Sequence, residues 1–224
     1  IYSNPCEDTL TYFSPDPFIM NPAAVVSWYW DFGDGQSSTN QNPAHQYEVP
    51  GHYDVTLIIQ DTGVCTSSIT SQVLIYASPE VLFDISEINC MNIPVFFEDL
   101  SSVANSYIVE WHWDFGDGTD TTIYFPDSPD FDHTYALDGT YLVTLDVISN
   151  DTCYATGNQF ILIDKAPIAL FTHDAACEAT PVQFYDNSSM GGGQTITEWL
   201  LNFVVPTSGP NNTSTLQDPV HEFT

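Results

Sequence analysis

The octapeptide Trp111-His112-Trp113-Asp114-Phe115-Gly116-Asp117-Gly118 constrains this chain more than any other feature, because it occurs twice. The other full copy is Trp28-Tyr29-Trp30-Asp31-Phe32-Gly33-Asp34-Gly35. A worn third copy, Trp199-Leu200-Leu201-Asn202-Phe203, continues into Val204-Val205-Pro206 where the glycine turn belongs. All 5 tryptophans fall in these segments. Large apolar residues recur at alternate positions, so each segment reads as a β-strand with one face turned to a core. Gly-Asp-Gly then supplies the positive-φ positions that a tight reversal needs. Asp31 and Asp114 are expected to accept backbone N–H bonds that fix this turn. Asp34 and Asp117 are expected to sit within it, since Asp tolerates unusual φ.

The copies set a repeat. Trp113 follows Trp30 by 83 residues, and Leu201 follows Trp113 by 88. Cys6, Cys90 and Cys177 precede the tryptophan strands, while Cys65 and Cys153 follow the first two. Alternating strands recur in order through each unit, as in Val95–Asp99, Gly139–Val147 and Phe160–Ile163 of the second. About seven short strands per unit, with a turn signal every eight to twelve residues, is the pattern of a Greek-key β-sandwich. The chain is therefore expected to be all-β. Residues 1–76 read as a domain lacking its first strand, 77–164 as a complete domain, and 165–224 as a divergent domain truncated at its C-terminus. The termini are expected to be cuts in something longer. Short proline-bearing linkers, Tyr76–Pro79 and Asp164–Pro167, should hold neighbouring units end to end.

Charge narrows the partners. Lys and Arg together number 1 against 30 Asp and Glu, for a net charge of −29. Phosphate binding needs clustered cations, so nucleic acid and anionic membrane surfaces are excluded as partners. With 43% hydrophobic and 14% aromatic residues, such acidity does not imply disorder. It suits a cation-rich exterior that screens self-repulsion. No apolar run is long enough for a membrane helix, so no membrane insertion is expected in this segment.

W-x-W-D-F-G-D-G, followed by His-x-Tyr (45–47 and 133–135) and Gly-x-Tyr-x-Val-x-Leu (51–57 and 139–145), resembles the polycystic kidney disease (PKD) domain. The resemblance implies tandem immunoglobulin-like β-sandwiches. Cysteines flanking each unit look like the variant found in large surface proteins of gliding, type IX-secreting bacteria. An extracellular or cell-surface spacer or adhesive role follows from the resemblance, with no catalysis and no cofactor. The implied partners are adjacent PKD domains, together with glycans or other surface proteins. A carbohydrate- or protein-binding accessory region of a secreted hydrolase is the alternative.

Each cysteine pair is expected to close its own unit, Cys6 with Cys65 and Cys90 with Cys153, leaving Cys177 for a partner beyond the chain end. Pairing between adjacent units, or reduced thiols, are the alternatives. A closed loop of about 60 residues would contribute on the order of 4 kcal/mol.

Other residues carry weaker signals. His45, His133 and His221 are equivalent positions and read as packed corner residues rather than zinc ligands, since nothing nearby completes a site. Asp127, Asp130 and Asp132 form the strongest metal candidate, for calcium, although their spacing lacks a recognised loop pattern. Tyr124, Phe125 and Phe131 are candidate sugar-stacking rings. Asn150, Asn187 and Asn211 fit the glycosylation pattern.

Overall fold

In a computed structural model, the described residues are 2–3, 5–15, 25–86, 89–175, 180–190, 195–203 and 213–223, and every named element is a strand. Among its described residues, repeat one carries seven: β1 (Tyr2–Ser3), β2 (Leu10–Phe13), β3 (Val25–Asp31), β4 (Ser37–Ser38), β5 (Ala44–Gln46), β6 (Gly51–Asp61) and β7 (Thr66–Ile75). They form two sheets, ordered β1-β2-β5 and β4-β3-β6-β7.

Repeat two repeats this plan with β8 (Phe83–Ile85), β9 (Pro94–Asp99), β10 (Ile108–Asp114), β11 (Asp120–Tyr124), β12 (Phe131–Thr134), β13 (Gly139–Ser149) and β14 (Tyr154–Ile163). Its sheets run β12-β9-β8 and β11-β10-β13-β14. β11 was not legible as a strand. Its stretch reads as a polar excursion, yet it pairs along the edge of β10 from Asp114↔Asp120 to Glu110↔Tyr124. At an edge only one side of the strand is packed, so the hydrophobic pattern is faint.

The third repeat supplies β15 (Phe171–His173), β16 (Pro181–Asp186), β17 (Leu201–Asn202), β18 (Thr213–Ser214) and β19 (Val220–Glu222). Two sheets result, β15-β16-β19 and β17-β18.

The tryptophan strands are central. Trp30 pairs with Leu57 and Trp113 with Leu145, and both strands shift register near their start, between Val25 and Ser27 and between Ile108 and Glu110. The inward parity is as expected: Trp30 and Phe32 are buried, as are Trp111, Trp113 and Phe115. The core of repeat one joins Phe13, Trp30, Phe32, Tyr47, Val55, Leu57, Val73 and Ile75, all from within that repeat. Burying each such side chain contributes roughly 1.5–3 kcal/mol.

The chain divides into two compact units, residues 1–84 with 98–131 and 142–159, and residues 85–97 with 132–141 and 160–224. The first contains both complete tryptophan strands and both Cys6 and Cys153, which are joined in a disulfide.

Candidate functional site

The Gly-Asp-Gly turns are built as expected. Gly33 N–H donates to Asp31 Oδ1 at 3.0 Å, and Gly116 N–H to Asp114 Oδ1 at 2.9 Å. Gln36 N–H donates to Asp34 at 3.0 Å and Thr119 N–H to Asp117 at 3.0 Å. Gly33 and Gly116 adopt φ of 81° and 74°, and Gly35 and Gly118 of 89° and 90°. These carboxylates hold turns.

His45 lies flat on Phe32 at 4.0 Å, with its Nε2 2.7 Å from Asp34 Oδ2. His221 lies on Phe203 at 4.1 Å in the same way. Each is also met edge-on by the ring two residues later, Tyr47 at 4.6 Å and Phe223 at 4.6 Å; His133 meets Tyr135 at 4.7 Å. Tyr47 donates to the Phe32 carbonyl at 3.1 Å, and burial pushes its hydroxyl pKa up. Tyr53 and Tyr141 pin their corners by donating to the carbonyls of Val49 and Leu137.

The calcium candidate is not assembled. Asp127, Asp130 and Asp132 are exposed, and among the described residues no group of three His, Cys, Asp or Glu side chains could hold a metal. Asp130 instead accepts the Asp99 N–H at 2.9 Å. Asp218 accepts the Asp186 N–H at 2.7 Å in the third repeat. The carboxylate is thus a recurring strap between loop and strand. Asp99 and Asp186 in turn accept from the indoles of Trp111 and Trp199, at 2.7 and 2.9 Å.

The aromatic candidates separate. Tyr124 and Phe125 are exposed, and Phe125 lies 5.4 Å from the ring of Tyr107, also exposed. Phe131 packs edge-on against Trp113 and Phe115, both at 5.5 Å, so it belongs to the core rim.

A concavity of about 520 Å³ lies in the third repeat, lined among others by Phe171, Phe184, Trp199, Leu201 and Phe203. Their counterparts in repeat two include Phe97, Trp111, Trp113 and Phe115, all buried. There β13 and β14 contribute Val143, Leu145, Val147, Ile161 and Ile163, also buried. The described residues of the third repeat include no counterpart of those two strands.

The cysteines overturn the expected pairing. Cys6 bonds Cys153, 147 residues away, with Cα atoms 5.7 Å apart, while Cys65 and Cys90 are free thiols. Cys177 lies outside the described residues. The reason lies in the hairpins. Cys6 bridges Tyr76 in parallel, at one end of β7. Cys65 occupies the β6–β7 turn at the other end, beyond ten paired positions from Gly51↔Ile75 to Gln60↔Thr66. That is roughly 30 Å at about 3.3 Å per residue, and a disulfide needs Cα atoms within about 7 Å. In repeat two, β14 likewise separates Cys153 from Asp164, the residue that Cys90 bridges. A leading cysteine and a hairpin cysteine of one repeat stand at opposite ends of the same strand. Bonding across the repeat boundary is the arrangement the hairpin permits.

Residues 18–75 and 76–160 each match the PKD domain family, more than half of the chain together. The chain belongs to the PKD domain family. Its PKD repeats are similar to part of the microbial collagenase of Vibrio alginolyticus, 45% identical over 70 residues, covering 31% of this chain and 8% of that protein. Collagenase ColQ1 of Bacillus cereus (strain Q1) is 57% identical over 37 residues, covering 16% and 4%. The chain thus spans under a tenth of these relatives' lengths. The solved PKD1 domain from the Vibrio cholerae metalloprotease PrtV is 28% identical, with a TM-score of 0.33, covering 39% of this chain and 98% of that one.

Proposed function

We propose that this segment is an extracellular, non-catalytic spacer in which successive PKD repeats are covalently tied to each other. The observation that carries this reading is the Cys6–Cys153 bond, which joins repeat one to the hairpin of repeat two. A disulfide of this kind persists in oxidising surroundings, which supports the extracellular reading. We take residues 1–76, 77–164 and 165–224 as its three repeats. The parent is a cysteine-laced surface protein of the gliding, type IX-secreting kind, a reading that the acidity and the recurring cysteines support.

Mechanically, the bond shields the 147-residue stretch between the two sulfurs from an end-to-end pull. Single-molecule stretching tests it. Oxidised chains should withhold that stretch, and reduction should release about 500 Å of extra contour at roughly 3.5 Å per residue. An extension unchanged by reduction would contradict the reading.

A second reading is favoured by the exposed Tyr107, Tyr124 and Phe125. These rings would let the segment serve as a binding region of a secreted hydrolase, stacking on sugars or on protein ligands. Because two relatives are collagenases, triple-helical collagen and a glycan array are the first ligands to try. Binding that disappears in Tyr124→Ala would support this reading, and no binding by the wild type would end it.

A further inference from the structure

Resting on the spacer reading, we propose that Cys65 and Cys90 are disulfide partners of neighbouring repeats, each making a copy of the Cys6–Cys153 bond. Cys90 takes the hairpin cysteine of the repeat that follows it. Cys65 takes the leading cysteine of a repeat that precedes repeat one.

The backbone around each free thiol reproduces that of its bonded counterpart. Around Cys6, Tyr76 N–H donates to the Pro5 carbonyl at 2.6 Å and Glu7 N–H to the Tyr76 carbonyl at 2.9 Å. Around Cys90, Asp164 N–H donates to the Asn89 carbonyl at 2.7 Å and Met91 N–H to the Asp164 carbonyl at 2.9 Å. The next residue but one is in the left-handed region in both, Asp8 at φ 57° and Asn92 at φ 61°. Each donates its N–H to the matching tyrosine carbonyl, Tyr47 at 2.9 Å and Tyr135 at 2.8 Å.

The hairpin cysteines match as closely. Asp61 N–H donates to the Cys65 carbonyl at 3.0 Å, and Ser149 N–H to the Cys153 carbonyl at 2.9 Å. The cysteine N–H groups donate to Asp61 Oδ1 at 2.9 Å and Ser149 Oγ at 3.1 Å. Val64 and Thr152, just before them, have φ of 61° and 68°. A β-branched residue held there is costly, so this turn is a built feature of both repeats.

What differs is cover. Bonded Cys6 and Cys153 are 8% and 0% exposed, whereas Cys65 is exposed and Cys90 half-buried. The neighbour that buries and bonds the first pair is another repeat of the same kind, so such a repeat is the occupant that fits the second. An unpaired thiol in an oxidising setting is also the form that does not last. Each new bond forms from two thiols, which give up two protons and two electrons to a disulfide-bearing oxidant that becomes a dithiol.

The test is a non-reducing peptide map of the full-length polypeptide that carries this segment, blocked with iodoacetamide and cleaved at acidic residues, since Lys and Arg number only 1 here. The expected map joins Cys90 to a hairpin cysteine and Cys65 to a leading cysteine, each of another repeat, with no alkylation of either. Cys90→Ser should then add one alkylated thiol per chain, at that hairpin cysteine. Alkylated Cys65 and Cys90 beside an intact Cys6–Cys153 peptide would overturn this proposal and leave the spacer reading standing. A map lacking the Cys6–Cys153 peptide would overturn both.

Discussion

Gly116 packs so closely on Leu142 that a Cβ added to the glycine would sit 2.5 Å from the Leu142 carbonyl oxygen. Gly33 stands in the same relation to Asp54, at 2.9 Å. The first glycine of the turn is therefore required by space as well as by its φ of 74°. Gly118 has a φ of 90° but open space around its would-be Cβ. Gly116→Ala should destabilise repeat two by about 3 kcal/mol, combining backbone strain with overlap. Gly118→Ala should cost only the strain, about 1–2 kcal/mol. Urea unfolding of the two variants, followed by tryptophan fluorescence, checks the order; equal losses would contradict it.

Removing the bond should matter only at its actual partners. Closing a loop of 147 residues contributes about 5 kcal/mol in the chain-entropy account. Cys153→Ser should lower the oxidised chain's melting midpoint by roughly 10–20 °C, at about 2–4 °C per kcal/mol for a chain of this size. Cys65→Ser, at an exposed site, should leave it within the roughly 0.5 kcal/mol usual for surface changes. A fall with Cys65→Ser as large as that with Cys153→Ser would restore pairing within the repeat.

Acid should loosen the third repeat late. The Ser188 hydroxyl and N–H, with the indole of Trp199, hold the Asp186 carboxyl down at about 2, from an ordinary 3.8. A folded value below the unfolded one means that the contribution is complete above pH 3.8 and fades as pH falls towards 2. NMR titration of the Asp186 carboxyl carbon should give a midpoint near 2. A midpoint near 3.8 would show that these bonds are not made in solution.

Asp130 should matter as a strap rather than as a ligand. Asp130→Ala leaves the Asp99 N–H without its acceptor and should cost about 1 kcal/mol. The loss should be the same with and without millimolar calcium in a thermal-shift assay. A calcium-dependent rise in the wild type that Asp130→Ala abolishes would revive the metal site.

Much of this fold is legible in the residues because it rests on local rules. The alternation in β10 and β13 shows which face is buried, and Gly33 and Gly116 announce the turns through chemistry that few other residues tolerate. The strap at Asp130 was not legible, since an acidic loop in so acidic a chain looks alike whether it binds a cation or a backbone N–H. Nor was the pairing of Cys6. Spacing along the chain shows that a leading and a hairpin cysteine alternate, but not that β7 holds Cys6 and Cys65 at its two ends. That separation depends on the parallel bridge from Cys6 to Tyr76, a contact between residues 70 apart that no local pattern encodes.

The most direct measurement is a non-reducing peptide map of this 224-residue chain, folded under oxidising conditions and cleaved at its acidic residues. The covalently tied repeats predict one linked pair of peptides, the first containing Cys6 and the second Cys153. Peptides linking Cys6 to Cys65, or Cys90 to Cys153, would contradict the account.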